Sequence, residues 1–274
     1  YQTMITELTD MDIANASLLD ECNAASESIN MAFNYYKGKK KNILIQTELH
    51  PQVINSLMLK IDCMNVNHKF FTNIEELDEN DVNSSFAIIL QNPTTKGDLL
   101  NLKKYDMDNI IKICGTDPLS LFLIKPPSDF DIVYGSTNRF GLGLSYGGPH
   151  SGYLSCKKEL VRFLPGRIVT TGHDKYGEDG YRLGLQSREQ HIKKEKAFSN
   201  ICTAQSLPAI MSTAYVMYHG KEGMINMANN INSVAKLIHS SLDQDFELVN
   251  KNYFDTVTIK GDSNYTANTL AAHS

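Results

Sequence analysis

The sequence DIVYGSTNRFGLGLSYGGP, residues 131–149, decides the fold. Its apolar start, 132–134, has the composition of a buried β-strand, and the small and polar residues that follow, 135–139, have turn character. Similar apolar runs occur at 42–46 and 86–90, with helical periodicity between them. Strands of about four to six residues that alternate with helices of about ten to fifteen predict an α/β fold, with a mostly parallel mixed sheet flanked by helices.

Loops that follow parallel strands meet at one edge of the sheet, where ligands bind in such folds. The loop after Leu90, the loop around Asp117 and the loop 135–139 therefore share one rim. Asp117 offers a carboxylate there, although an Asp before a proline also commonly begins a turn. The Gly-rich stretch 141–149 lacks the glycine orders of nucleotide-binding loops, so we expect it to serve close approach of the backbone to a neighbour.

The loop after residues 132–134 has most of what a pyridoxal phosphate site needs. Such a site requires an amine that forms an imine, an acid for the ring nitrogen and donors for the phosphate. Ser136 and its neighbours supply donors, but no lysine is present. Asn138 carries an amide, and Arg139 stays protonated and is a poor nucleophile. A plain turn after a strand explains the same residues, and the local pattern favours it.

Composition excludes several classes of protein. The chain has 274 residues, 42% of them hydrophobic, which is enough for a sizeable core. A net charge of -5 argues against nucleic acid as a partner. The five cysteines form no CxxC pair, so neither a zinc site nor a disulfide scaffold is indicated, and a reducing compartment fits. No apolar run reaches about 18 residues, so no membrane span is expected. We interpret the chain, which begins with Tyr1, as a piece of a longer protein.

The pattern also predicts helices and a division of the chain. A helix is expected from Leu8 to about Tyr36, with Ser17 and Asp20 as a capping box. A second follows His50-Pro51. Ser199 or Asn200 is expected to cap a helix that Pro208 kinks and that stops at Gly220. We predict a large domain over 1–220 and the start of a small α+β domain over 221–274.

A polar segment between residues 167 and 205 carries further candidates. Arg182 and Arg188 could bind a carboxylate or phosphate through two parallel hydrogen bonds. A solvated charged face explains the same residues. His191 could act as an acid or base, although a lone histidine is usually a hydrogen-bonding structural residue. No spacing of His, Cys or Asp indicates a metal site.

Several segments together resemble the amino-terminal half, or first subunit, of the glycine cleavage system P-protein. The similarity covers nearly the whole chain, and the REQHI and SNICTAQ segments are its most specific parts. It rests on YQTMITELTDMDIANASLLDE at 1–21, KPP at 125–127, DIVYGSTNRFG at 131–141, YGGPH at 146–150, PGRIV at 165–169, RLGLQSREQHIKKEKAFSNICTAQ at 182–205, YHGKEG at 218–223 and FDTVTIKG at 254–261.

The resemblance implies a fold-type-I pyridoxal phosphate enzyme, glycine dehydrogenase (decarboxylating), made of two similar halves that are fused or separate subunits. Glycine loses carbon dioxide, and its aminomethyl group passes to the lipoyl arm of the H-protein. The imine-forming lysine lies in the carboxyl-terminal half, at the counterpart of Asn138, and Asp117 matches the acid at the ring nitrogen.

The same resemblance assigns roles within this half, which is not active alone. A pseudo-site would comprise Asp117, Ser136, Asn138 and Arg139. Arg182, Arg188, His191 and Asn200 would face the substrate or the site of the partner half, and the two halves would complete a dimer.

Two other interpretations stay open. The chain could be a non-catalytic scaffold with an empty pseudo-site. It could also be another fold-type-I enzyme that uses Lys125 or Lys157, but Lys125 precedes two prolines and Lys157 follows a strand on the wrong side of the Gly-rich loop. Bacterial cytoplasm and mitochondrial matrix both fit as compartments.

Overall fold

The computed structural model describes residues 1–201, 203–242 and 246–261. Cys202 and the last part of the predicted small domain, 262–274, therefore lie outside the described residues. Seven strands form the main sheet in the order β1-β7-β6-β5-β4-β2-β3. They are β1 (Ile13–Ala14), β2 (Asn42–Gln46), β3 (Asn67–Phe71), β4 (Ser85–Gln91), β5 (Ile111–Gly115), β6 (Ile132–Ser136) and β7 (Gly152–Cys156).

The main sheet is mixed and mostly parallel, which confirms the predicted fold class. β2 pairs in parallel with both β3 and β4, β4 with β5, and β5 with β6. β7 returns antiparallel to β6, and β1 pairs antiparallel with β7. The inner parallel strands β2, β4, β5 and β6 are largely buried because the sheet is covered on both faces, whereas the edge strand β3 is exposed over four of its five residues. The carboxyl ends of β4, β5 and β6 consequently lie side by side.

Six helices and two small hairpins complete the described fold. The helices are α1 (Gln2–Thr9), α2 (Glu21–Tyr35), α3 (Pro51–Met64), α4 (Glu79–Ser84), α5 (Gln190–Lys193) and α6 (Ser206–Leu242). One hairpin joins β8 (Ile168–His173) to β9 (Asp179–Gly184), and the other joins β10 (Glu247–Leu248) to β11 (Ile259–Lys260). Among the described residues, no helix has the length and apolar character needed to cross a membrane.

The two faces of the sheet bury separate apolar clusters, as the two-residue repeat of a strand requires. On β4, Ala87 and Ile89 pack in the cluster under α2 and α3, whereas Ile88 and Leu90 pack on the opposite face. α2 contacts β6, β7 and α3. Small residues on α2, including Ala24, make that close packing possible.

The predicted single helix from Leu8 to Tyr36 is wrong. α1 ends at Asp10, which adopts the left-handed region with φ 55, and the edge strand β1 separates α1 from α2. The predicted capping box is also wrong. The cap of α2 is Asp20, whose carboxylate accepts a hydrogen bond from Asn23 N at 2.7 Å. Ser17 has φ 94, and its hydroxyl accepts from Gln205 N instead.

The helix predicted from Ser199 or Asn200 begins later than expected. α6 starts at Ser206, which places Pro208 in the first turn. Proline is tolerated there because those N–H groups have no partner within the helix, so the predicted kink is wrong. The predicted interruption is present, since Gly220 has φ 65 and ψ 176 inside α6. The domain boundary at this position stays a prediction.

The Asp20 cap provides a stability test. Replacing Asp20 with alanine leaves the Asn23 N–H without its acceptor, and we expect the free energy of unfolding to fall by about 1 kcal/mol. Urea unfolding followed by circular dichroism measures the loss. Asp20→Asn keeps a side-chain oxygen at the cap and should unfold close to the wild type. An equal loss in both variants would show that charge, not capping, matters at this position.

Candidate functional site

A cavity of about 520 Å³ opens at the carboxyl ends of β4, β5 and β6. All four residues predicted for the pseudo-site lie around it. The start of α2 and the segment that carries Asp255 complete its wall. The lining residues are Asp20, Glu21, Cys22, His50, Gln52, Gln91, Pro93, Thr94, Thr116, Asp117, Pro118, Ser136, Asn138, Arg139, His150, Asp255 and Thr256.

Arg139 joins two carboxylates across this cavity. One guanidinium nitrogen donates to Asp117 Oδ2, and the other lies 2.5 Å from Asp255 Oδ2. The guanidinium also lies 5.8 Å from the centre of the Phe254 ring. The planar fork of arginine suits two carboxylates at once. The arrangement connects the loops after β5 and β6 to the segment between β10 and β11.

Local hydrogen bonds fix both ends of this bridge. The other oxygen of Asp117 accepts from Leu119 N at 3.0 Å. Phe254, beside Asp255, is held because Asn232 Nδ2 donates to its carbonyl at 2.6 Å. Leu99 N donates to the carbonyl of Asn252 at 2.9 Å. The bridge is therefore a rigid contact between parts of the chain that are distant in sequence.

Burial and pairing act against each other at these charges. Burial raises the pKa of the Asp117 carboxyl from its ordinary value, and the Arg139 guanidinium opposes that rise. Burial works to lower the pKa of Arg139, but Asp117 and Asp255 outweigh it and raise that pKa. We consider the bridge ionised, because the guanidinium holds its proton and contacts both carboxylates.

The amino terminus of α2 presents two more carboxyl groups to the cavity. One carboxylate oxygen of Asp20 accepts the capping hydrogen bond from Asn23 N. Burial, together with the negative charges of Asp117 and Asp20, raises the pKa of Glu21 to about 7. The main sheet contributes two buried tyrosines on this side, and the pKa values of Tyr134 and Tyr153 are raised, mainly by burial and then by Glu21. The charged groups that shift the pKa of Glu21 are thus carboxylates.

His50 occupies the opposite wall in a neutral network. Gln91 Nε2 lies 3.0 Å from His50 Nε2 and can only donate, so His50 Nδ1 carries the hydrogen and donates to Thr95 Oγ1 at 3.1 Å. Burial lowers the pKa of His50, which agrees with the neutral ring. Gln91 is itself held because its backbone N donates to Gln46 Oε1. Sequence reasoning missed His50, although it follows β2 just as Asp117 follows β5.

The charges around this cavity do not fit pyridoxal phosphate. Arg139 is the one Arg or Lys among the described residues that line it, and it already holds Asp117, the acid that could bind the ring nitrogen. A helix amino terminus is the ordinary place for a phosphate, but here it carries Asp20 and Glu21. Among the described residues, no lysine lines the cavity. The role of the four pseudo-site residues as cofactor ligands stays a prediction, and these contacts argue against it.

The four residues predicted to face the partner half lie elsewhere, outside the cavity lining. Arg182 is exposed on β9, and His191 is exposed on α5, 3.7 Å from Glu189. Arg188 is half-buried and donates to the carbonyl of Gly166 at 2.6 Å, while its Nε has no partner in the part of the chain that the structure describes. Asn200 is exposed before α6. The hairpin β8–β9, which carries Arg182, was not predicted.

The alternative lysines also lie away from the cavity. Lys157 pairs with Asp131 Oδ1 at 2.9 Å, at the amino end of β6. Lys125 is exposed and lies 3.7 Å from Asp129. Within residues 1–201, 203–242 and 246–261, no group of three or more His, Cys, Asp or Glu side chains could hold a metal ion. The contacts of these two lysines do not support the interpretation that the chain is another fold-type-I enzyme that uses Lys125 or Lys157.

Comparisons with known proteins agree with the fold and extend it. The chain is 38% identical over 269 residues to glycine dehydrogenase (decarboxylating), mitochondrial, of Pisum sativum, which covers 95% of this chain and 25% of that protein. It is 40% identical over 268 residues to glycine dehydrogenase (decarboxylating) of Variovorax paradoxus, which covers 95% of this chain and 28% of that one. It therefore spans about a quarter of the length of these curated relatives.

Solved structures show the same fold. The crystal structure of a glycine decarboxylase (P-protein) of the glycine cleavage system, in inhibitor-bound form, matches with a TM-score of 0.89 and 31% identity over 100% of this chain and 65% of that one. A sphingosine-1-phosphate lyase of Burkholderia pseudomallei shares the fold alone, with a TM-score of 0.67 at 10% identity, covering 99% of this chain and 66% of that one. The family described as glycine cleavage system P-protein matches residues 1–274, and the chain belongs to that family.

Proposed function

We propose that this chain is the lysine-less lobe of a glycine dehydrogenase (decarboxylating). The complete enzyme would release carbon dioxide from glycine and pass the aminomethyl group to the lipoyl arm of the H-protein. The carboxyl-terminal half, or a second subunit, would hold the pyridoxal phosphate that stabilises the carbanion. The observation that carries the proposal is a P-protein family match over 1–274 together with a rim cavity that no lysine lines among the described residues.

The contribution of this lobe would lie on its exposed polar segment. Arg182 and His191 are exposed, and Asn200 is exposed beside them in sequence, so a partner half could reach all three. The hairpin β8–β9 presents Tyr181, 85% exposed, on the same segment. A two-stranded hairpin alone is marginally stable in water, which supports contact with a further part of the protein. The compartment would be cytoplasm for a bacterial source and mitochondrial matrix for a eukaryotic one.

The second candidate function is a scaffold that contributes interface alone. The bridge of Arg139 with Asp117 and Asp255 favours it for the cavity, because those charges are already paired. It makes no use of the exposed polar segment in catalysis. The two candidates therefore differ in what substitutions on that segment should do.

Complementation with the carboxyl-terminal half tests the two candidates. The exchange of the glycine carboxyl group with labelled bicarbonate is measured after mixing the two halves, with complex formation followed by size-exclusion chromatography. If the segment completes the site, Arg182→Ala and His191→Ala should each lower the exchange rate at least about ten-fold while the complex persists. Arg162→Ala, at an exposed arginine outside the segment, is the matched control.

The outcomes separate cleanly. Unchanged exchange in both variants, with an intact complex, favours the scaffold. Exchange by this chain alone, without the other half, would contradict the proposal that it is a lysine-less lobe.

A further inference from the structure

We propose that Arg139 and Glu21 are specificity-determining residues that prevent pyridoxal phosphate from binding in the rim cavity, so that the cofactor binds only in the partner half. This inference rests on the proposed function, because it explains how one of two similar lobes stays free of the cofactor. It concerns this chain's own residues and needs no catalytic assay. Absence of the imine-forming lysine would not by itself prevent noncovalent binding of the ring and phosphate.

The first obstacle to binding of the cofactor is at Asp117. A protonated pyridine ring nitrogen needs a carboxylate oxygen that is free to accept its hydrogen bond. Asp117 gives one oxygen to Leu119 N and the other to Arg139. Arg139 therefore takes the place of a ligand cation, and a second cation at the same oxygen would meet its positive charge.

The second obstacle to binding of the cofactor is at the start of α2. The backbone N–H groups there would favour an anion, and α2 has 15 residues. However, Asp20 already accepts from Asn23 N, and Glu21 adds a carboxyl group that faces the cavity. The described residues that line the cavity supply four carboxyl groups and one guanidinium. A phosphate dianion would enter a field of its own sign.

The contact of Arg139 with Asp255 also has a structural role. Because the second guanidinium nitrogen contacts Asp255 at 2.5 Å, the residue that occupies Asp117 also fastens the segment between β10 and β11 to the rim. Arg139 is 37% exposed at its side chain, and each of its two partners is 20% exposed. The bridge thus lies in the cavity wall within reach of solvent, and it satisfies both carboxylates there.

Equilibrium dialysis with pyridoxine 5′-phosphate tests the proposal. This probe has the ring and phosphate of the cofactor but an alcohol instead of the aldehyde, so the surface lysines cannot form imines with it. We expect no saturable binding to the wild-type chain. The double variant Glu21→Gln/Arg139→Gln loses one carboxylate and one guanidinium together, so the net charge of the lining stays the same while Asp117 becomes free for the ring nitrogen. Because of that freed carboxylate, the variant should bind the probe at least about ten-fold more tightly than the wild type.

Two further variants define the controls. Arg139→Lys, combined with Glu21→Gln, keeps a cation beside Asp117 and should bind more weakly than the double variant. Asp117→Asn, added to the double variant, removes the acid for the ring nitrogen and should abolish the gain. Circular dichroism and thermal unfolding establish that each variant is folded. If the double variant does not fold, the single variant Glu21→Gln should still show a measurable gain in binding of inorganic phosphate.

Each outcome decides the matter. Stoichiometric binding of the probe by the wild-type chain would overturn the proposal, and so would a folded double variant that binds no better than the wild type. These results are independent of the glycine exchange assay. If the wild-type chain does not bind the probe and its complex with the carboxyl-terminal half shows no glycine exchange, only the proposed function is contradicted. If the complex does show exchange and the wild-type chain binds the probe, only the exclusion of the cofactor from this cavity is contradicted.

Discussion

Replacing Gly135 with alanine should lower the free energy of unfolding by about 3 kcal/mol, at the upper end of the usual effect of overpacking. Gly135 lies in β6, between β5 and β7. A Cβ atom at this position would lie 2.3 Å from the Thr116 carbonyl oxygen and 2.6 Å from the Tyr153 hydroxyl. Neither neighbour can withdraw cheaply, because Tyr153 donates to that same carbonyl at 2.7 Å in the core.

Gly180 provides the matched control for that substitution. It lies in β9, and nothing is within 4 Å of an added Cβ there. Gly180→Ala should leave the urea midpoint nearly unchanged, while Gly135→Ala should shift it strongly with little change in the slope. Equal midpoints for the two variants would show that β6 can move away from Thr116 at little cost.

Replacing Glu21 with glutamine should stabilise the protein by about 2 kcal/mol at about pH 8. The pKa of Glu21 is raised to about 7 in the folded chain, against 4.5 for a fully solvated glutamate side chain. The folded state therefore holds more protons than the unfolded state between these values, and the contribution of Glu21 to stability falls as the pH rises through that window. The helix amino terminus favours the carboxylate, which makes the effect smaller than the pKa difference alone implies.

The size of this effect changes with pH in a way that identifies its cause. Below about pH 4.5 both forms of the residue are neutral, so wild type and Glu21→Gln should unfold at nearly the same denaturant concentration. Glu7→Gln, at an exposed carboxylate on α1, serves as the control and should show no such widening gap. If the gap between wild type and Glu21→Gln stayed constant from acid to alkaline pH, burial of the Glu21 charge would not be its origin.

A stabilising substitution in the cavity wall would also bear on function. Residues that cost stability where they stand are commonly retained for another purpose. Glu21 is such a residue here, and its proposed purpose is to keep a phosphate away from α2. The same variant thus links the stability measurement to the dialysis experiment, although the two readouts are independent.

The sheet could be predicted from the sequence because its strands are short apolar runs bounded by turns. The runs at 42–46, 86–90 and 132–134 all became strands of the main sheet. The first helix could not be placed correctly, since Asp10 in the left-handed region and the two-residue strand β1 leave the polar and apolar pattern almost unchanged. The start of α6 was placed too early because a cap residue at Ser199 looks the same whether or not a helix follows it.

The rim of the cavity was predictable only in part. The rule that ligands meet the carboxyl ends of strands brought the loops of Asp117 and Ser136 together, and the same rule applied to β2 would have identified His50. Asp255 could not be found in this way. Its contact with Arg139 spans more than one hundred residues of sequence, and no local pattern records such a pairing.

The bridge has a consequence for synthesis of the chain. Asp117 and Arg139 leave the ribosome long before Asp255, so the nascent protein holds an unfinished ion triad whose last carboxylate arrives only near the end of the described chain. Completion of the triad therefore has to wait until most of the described chain has been synthesised.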